Sequence, residues 1–374
     1  MLTQSLQKLG YRKWLAHAGT KHQLVSSLAG ASDFECDDIV DDKIVQRKDS
    51  ALRTAIAQLE GEFNSESRLS MGSFFTLRRT PVISTGSLTL DRALGIGGLP
   101  RGRMVEIYGR EASGKTTLAL HIIKEAQKLG GYCAFLDVEN ALDSTMAESL
   151  GVKLENLLIA PPNSAENMLS MVDTLTKSDA LDVIVIDSVA ALMPKHELDS
   201  PIFSCGGNIH PRVLSQALRK IHHTLSRSKT LLVLLNQIRL KCASPFGLKS
   251  VEEVTSGGNA LKFYSAVRLR MSRTRLFKEK NEFEGVEVCV QVMKNKLAPR
   301  NEKADLKIKF GKGCCVEEEV FRLACEYGMV EKDGFKYSVN GKHFVDESSA
   351  IDYLGRDKHI LNNMIMTLRN EMFP

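Results

Sequence analysis

The sequence predicts an α/β fold: a mostly parallel, twisted sheet with covering helices, followed by a small α+β unit. Three observations predict it. From residue 81 onward, apolar runs of strand length alternate with amphipathic stretches of helix length. The middle runs are almost unbroken in apolar character, as strands buried on both faces must be. A glycine-containing loop, "GREASGKT" (109–116), stands between one such run and one such helix.

Taken in order, the chain of 374 residues opens on a segment (1–32) that holds Lys8, Arg12, Lys13 and Lys21 but no Asp or Glu. Basic, hydroxylated and acid-free, it reads as an organellar transit peptide; a disordered basic tail is the alternative. The acidic "DFECDDIVDDK" follows, and 33–46 is assigned as a linker. In "RKDSALRTAIAQLEGEF" (47–63), Leu52, Ile56, Leu59 and Phe63 recur at helical spacing, which predicts a helix with one apolar face, then a linker to residue 80. The main domain spans 81–310. Its strands are expected at "MVEIYG", "YCAFLDVE", "LDVIVIDS", "TLLVLLNQI", "AVRLRMSR" and "VEVCVQVMKN", with helices at "TTLALHIIKEAQKLG" and "SAENMLSMVDTLTKS". After "FGKG" (310–313) the character changes, and 311–374 is expected to form a separate small domain.

Composition narrows the function classes. No apolar run approaches the ~18 residues of a membrane-spanning helix. A net charge of +5 permits a nucleic-acid partner without arguing for one. Eight cysteines, none in a C-x-x-C pair, read as reduced thiols. The adjacent His222 and His223 have no partner at zinc-ligand spacing and read as surface or packing residues.

The loop carries the chemistry. "GREASGKT" fits G-x-x-x-x-G-K-[ST] in the strand-to-helix context that gives the pattern its meaning. Gly109, Arg110, Glu111, Ala112, Ser113, Gly114, Lys115, Thr116 and Thr117 would surround the phosphates of a nucleoside triphosphate, with backbone N–H groups turned inward. Lys115 would reach the β- and γ-phosphates, and the Thr116 hydroxyl would hold Mg²⁺. Asp187 ends the apolar run "DVIVID", so its carboxylate would sit near the metal. Glu139, just past "CAFLDV", is placed to polarise a water in line with the γ-phosphate.

Together with "STGSLTLD", "ALGIGGLPRGRMVEIYG", "CAFLDVENALD", "VIVIDSVAALMPK", "SQALRKI", "NQIRLK", "TSGGNALKFY" and "MKNKLAP", these residues resemble the bacterial RecA recombinase family, block by block and in its order, from about residue 47 to the end. The acidic run behind a basic leader resembles the plant organellar, mitochondrial branch, with chloroplast as the alternative address. The resemblance implies a RecA-type ATPase core, an N-terminal polymerisation helix at 47–63 and a C-terminal domain that gathers duplex DNA. It implies ATP and Mg²⁺ as cofactors. The implied partners are single-stranded DNA, a homologous duplex and further copies of the chain in a helical filament, with no membrane. By the same resemblance Glu139 activates water, Gln237 senses the γ-phosphate, and Lys294 and Lys296 reach the ATP of a neighbouring subunit. Asp143 joins the nucleotide-binding residues.

DNA contact is expected from two loops, one between Met193 and Gln216 and one over about Leu240 to Thr255. Arg212, Arg219, Arg239 and Lys241 are the candidate contacts, through backbone charge rather than base reading. The sequence departs from the family at Arg110, usually proline, and at Met146, usually a tyrosine that stacks on adenine. The first loop, "LDSPIFSCGGNIHP", departs most, with Pro201 and Pro211 expected to stiffen it. The reading is a DNA-dependent ATPase that performs strand exchange in repair of organellar DNA. The alternatives are a filament-joining regulatory paralogue that binds ATP and DNA without efficient exchange, and a RecA-fold motor such as a helicase.

Overall fold

The structure, a computed structural model, describes residue 47 and residues 50–55, 81–199, 209–242, 251–279, 282–299, 302–333 and 336–373. The leader at 1–32, the acidic linker, most of 47–80, and the loop residues 200–208 and 243–250 (with Pro201, Pro245 and Lys249) lie outside the described residues. Of the expected 47–63 helix, 50–55 is described and is helical; Thr54 Oγ1 donates to the Ser50 carbonyl at 2.9 Å.

The first strands, β1 (Val82–Ile83) and β2 (Leu99–Pro100), pair with each other. The large sheet holds β3 (Met104–Gly109), β4 (Cys133–Asp137), β5 (Leu157–Ala160), β6 (Val183–Asp187), β7 (Leu231–Cys242), β8 (Val251–Thr255), β9 (Val267–Glu279), β10 (Glu282–Asn295), β11 (Lys303–Lys309) and β12 (Gly313–Cys314). Its order is β12-β11-β10-β9-β3-β7-β6-β4-β5, with β8 paired to β7 as an antiparallel hairpin. From β9 to β5 neighbouring strands are parallel; β10, β11 and β12 extend the sheet antiparallel.

Burial explains the sequence pattern. In β7, Leu231, Val233 and Leu235 join one core with Val105, Ile107, Phe135 and the helix Lys115–Lys128. Leu232 and Leu234 join the core on the opposite face, with Leu136, Ile186 and the helices Ala165–Lys177 and Ile209–Leu225. Both faces are covered, so both parities are apolar. In β11 only Ala304, Leu306 and Ile308 are buried and charged residues alternate with them, a weaker signature that the strand expectations omit.

The stretch between Met193 and Gln216, expected to be loop, is helical at both described ends, over Lys195–Leu198 and from Ile209. Pro211 stands in the first turn of the second helix, where no intrahelical N–H donor is required, so it opens a helix instead of stiffening a loop.

Beyond the large sheet, β13 (Glu331–Asp333), β14 (Lys336–Val339) and β15 (Lys342–Phe344) form a small antiparallel sheet. The helices Val316–Glu326, Glu347–Arg356 and Lys358–Met372 pack with it around Phe321, Leu323, Val339 and Leu354. Leu88, from the short helix Leu88–Ala93, completes that core. Polar contacts bind the same helix. Glu319 accepts from Ser87 Oγ at 2.8 Å and from the Thr89 N–H. Arg369 pairs with the buried Asp91 at 2.7 Å and donates to the Gly97 carbonyl. The large sheet also continues past the expected boundary at residue 310, through β12. No described helix is long and apolar enough to cross a membrane.

Candidate nucleotide and DNA site

Sheet register sets the site. Gly109 at the end of β3 is opposite Gln237 on β7, and Asp137 at the end of β4 is opposite Asp187 on β6. These carboxyl ends of parallel strands form one row, which is where open α/β sheets bind ligands.

The phosphate loop leaves that row. A β-carbon on Gly109 would collide with the Met271 carbonyl, so only glycine fits. Ala112 (φ 53°) and Gly114 (φ 83°) are left-handed and turn the loop back into the helix Lys115–Lys128. Gly114 caps that helix with no side chain, which leaves first-turn N–H groups facing the loop for an anion. Lys115 Nζ donates to the carbonyls of Arg110 (2.9 Å) and Gly109 (3.3 Å). Burial draws its pKa down, opposed by Asp187, Glu139 and Glu111.

Thr116 Oγ1 donates to Asp187 Oδ2 at 2.7 Å. Burial pushes the Asp187 pKa up; the Thr116 hydrogen bond and Lys115 oppose this, while Glu139 and Asp137 add to it. Two hard oxygen donors, with the carboxylates of Glu139 and Asp137 nearby, suit a hard divalent cation such as Mg²⁺. Among the described residues no group of three or more His, Cys, Asp or Glu could hold a metal, so phosphate and water would complete the shell. Glu139 is exposed and accepts from Gln237 Nε2 at 3.2 Å and from Ser188 Oγ.

A buried network that the sequence reading missed positions Gln237. Its N–H donates to Asn236 Oδ1 at 2.9 Å. Asn236 Nδ2 donates to Glu106 Oε1 (3.0 Å) and to the Ser256 carbonyl (2.9 Å). Glu106 is fully buried and pairs with Arg268 Nε at 2.5 Å; the Arg268 guanidinium lies 4.6 Å from the Tyr108 ring centroid. The signal available in the sequence was a glutamate in the middle of the apolar "MVEIYG", because a buried charge requires a partner.

Asp143 is exposed and caps the helix Ser144–Ser149, accepting from Thr145 N at 2.8 Å and Thr145 Oγ1 at 2.7 Å. Met146 is partly buried against the core. Lys294 Nζ donates to the carbonyls of Lys262 (2.5 Å) and Phe263 (3.2 Å), and Lys296 Nζ to that of Phe263 (3.4 Å). Both therefore meet the C-terminal end of the helix Asn259–Tyr264. Burial lowers the Lys294 pKa, and Lys296 and Arg268 lower it further. Arg219 and Arg239 are exposed; the side chains of Arg212 and Lys241 lie outside the described part.

A glycine-turned loop feeding an uncapped helix, with a hydroxyl–carboxylate pair beside it and a second carboxylate held by a glutamine, defines a P-loop nucleotide-binding core. The comparisons with known proteins give the particular kind. Residues 50–315 match the RecA N-terminal domain. The chain is 45% identical over 328 residues to the DNA repair protein recA homolog 3, mitochondrial, of Arabidopsis thaliana, covering 88% of this chain and 76% of that protein. It is 49% identical to Protein RecA of Acidiphilium cryptum (79% of this chain, 85% of that protein) and 45% identical to Protein RecA of Brucella canis (88% and 91%). The chain belongs to the RecA family.

Proposed function

We propose that the chain is a DNA-dependent ATPase that assembles as helical filaments on single-stranded DNA and exchanges strands with a homologous duplex, in repair of mitochondrial DNA. The Gln237–Glu139 contact carries this reading. It joins the group placed to act on water at the γ-phosphate to β7, the first arm of the hairpin that leads to 243–250.

In this reading Lys115 exchanges its two loop carbonyls for β- and γ-phosphate oxygens. Thr116 and Asp187 hold Mg²⁺, which when bound offsets charge on the phosphates. Glu139 orients and deprotonates the attacking water. Gln237 leaves Glu139 as the γ-phosphate arrives and pulls on β7, so ATP and DNA favour the same hairpin state. Lys294 and Lys296 serve the nucleotide of an adjacent subunit. Arg212, Arg219, Arg239 and Lys241 neutralise DNA backbone charge. The mitochondrial address draws support from the Arabidopsis relative's name and from the acid-free leader.

The test is ATP hydrolysis with and without single-stranded DNA, beside a strand-exchange assay. Stimulation together with exchange is expected. Stimulation without exchange gives the chain to the regulatory alternative, and no binding of single-stranded DNA defeats both.

A further inference from the structure

The hairpin touches the nucleotide site at a second place. β8, its returning arm, carries Glu253, opposite Leu240 in register. Each oxygen of that carboxylate has its own guanidinium. Oε2 takes Arg270 Nη2 of β9 at 2.5 Å, and Oε1 takes Arg110 Nη2 of the phosphate loop at 3.2 Å. The base of β8 is fixed as well, since Asn236 Nδ2 holds the Ser256 carbonyl. Glu253, Arg270 and Arg110 border a cleft of about 250 Å³ that Ser113 also lines.

The two pairs differ in kind. Glu253 is 29% exposed and Arg270 37%, and both stand on sheet strands. Arg110 is 75% exposed and stands on the loop. The Arg270 pair therefore anchors the carboxylate, and the Arg110 pair is the one that a loop movement breaks. Arg110 cannot ignore the nucleotide. Its carbonyl is the 2.9 Å acceptor of Lys115 Nζ, the group that must leave to bind phosphate.

We propose that the Arg110–Glu253 pair is a latch holding the returning arm of the hairpin against the empty phosphate loop, and that nucleotide binding releases it. Glu253 is then a positioning residue acting through Arg110, and it complements Gln237 on the other arm. The DNA half of this inference rests on the proposed function. An exposed ion pair is worth a small factor, so the latch tunes the coupling by about 2- to 5-fold rather than switching it.

The test uses the full chain with Glu253→Gln, Arg110→Ala and the double variant. Linkage requires that whatever ATP breaks must also oppose ATP. Without DNA, each single variant should bind a non-hydrolysable ATP analogue about 2- to 5-fold more tightly than the parent. The double variant should gain no more than either single, and the gain should shrink at high salt. With a labelled oligothymidylate, each single variant should raise nucleotide-free affinity by the same factor and leave analogue-bound affinity unchanged, which narrows the ratio between the two states. Unchanged analogue affinity, or additive effects in the double variant, overturns the latch. If analogue affinity shifts as expected but the parent binds no oligothymidylate, the recombinase reading falls and the coupling to DNA falls with it.

Discussion

The strand-end row, which the residues themselves pointed to, and the Lys294–Lys296 corner, which only the family resemblance pointed to, differ in their surroundings. In the row, Thr116 meets Asp187 and Gln237 meets Glu139, so side chains from four separate elements converge on one another. In the corner, both ammonium groups rest on backbone carbonyls at a helix end of their own chain. The difference teaches that the side chains proposed to serve phosphate and water meet one another within one chain, whereas the two lysines proposed to serve a neighbour's nucleotide meet only a helix terminus in theirs.

The largest expected effect breaks the row. Glu139→Gln should lower single-turnover ATP hydrolysis by about 10²–10⁴-fold while an ATP analogue still binds, because only the carboxylate proposed to activate water is lost. Near-normal turnover would leave the Gln237–Glu139 contact a structural one, and the row and corner would no longer differ in role.

The next expectation sharpens the corner. In Lys294→Ala/Lys296→Ala, losing two cations from a helix C-terminus should cost about 1 kcal/mol of stability or less in thermal unfolding. DNA-stimulated hydrolysis should fall by about 10²–10³-fold, as when a transition-state charge stabiliser is removed. A hydrolysis loss no larger than the stability loss explains would return both lysines to a purely local role.

The smallest effect concerns what lies beneath the row. His121 is on the same helix as Lys115 and Thr116 and is 2% exposed; its Nε2 accepts the Cys314 N–H at 3.0 Å. Burial, with Lys124 and Lys128 adding to it, lowers its pKa from 6.5 to about 4. The unfolded chain therefore takes up this proton first as pH falls. The stability tied to the neutral ring is fully present above pH 6.5 and is lost as pH falls from there through 4, by about 3 kcal/mol. Urea midpoints of the parent and of His121→Gln across that window check it. The parent should weaken toward acid and the variant should show a flatter slope; parallel slopes would acquit the histidine.

Much of this was legible in the sequence. The six expected strands are there, the middle ones because burial on two faces leaves a continuous apolar run and the last two because buried residues alternate along them, and the phosphate loop is local, its residues adjacent in the chain. Illegible were the partners joined only by folding. Glu106 finds Asn236 and Arg268, which lie 130 and 162 positions away, and Arg110 finds Glu253 across 143. Register between strands decides such pairs, and one sequence does not contain it. The helix start at Ile209 was hidden for another reason: Pro211 marks a loop and a first helical turn equally well.

The grip on the helix Leu88–Ala93 bears on how this molecule can be inherited. Asp91 is fully buried and Arg369, 278 positions later, is its ionic partner; Glu319 serves the N–H of Thr89, and Leu88 belongs to the distant core. Splitting these residues between two parents would strand a buried charge, a defect on the order of 3–5 kcal/mol. Replacing the chain beyond residue 310 with a segment that has no arginine at position 369 would carry that defect. The unit to exchange intact is the C-terminal segment together with residues 84–97, two stretches that lie more than two hundred positions apart in the chain and are joined by Arg369.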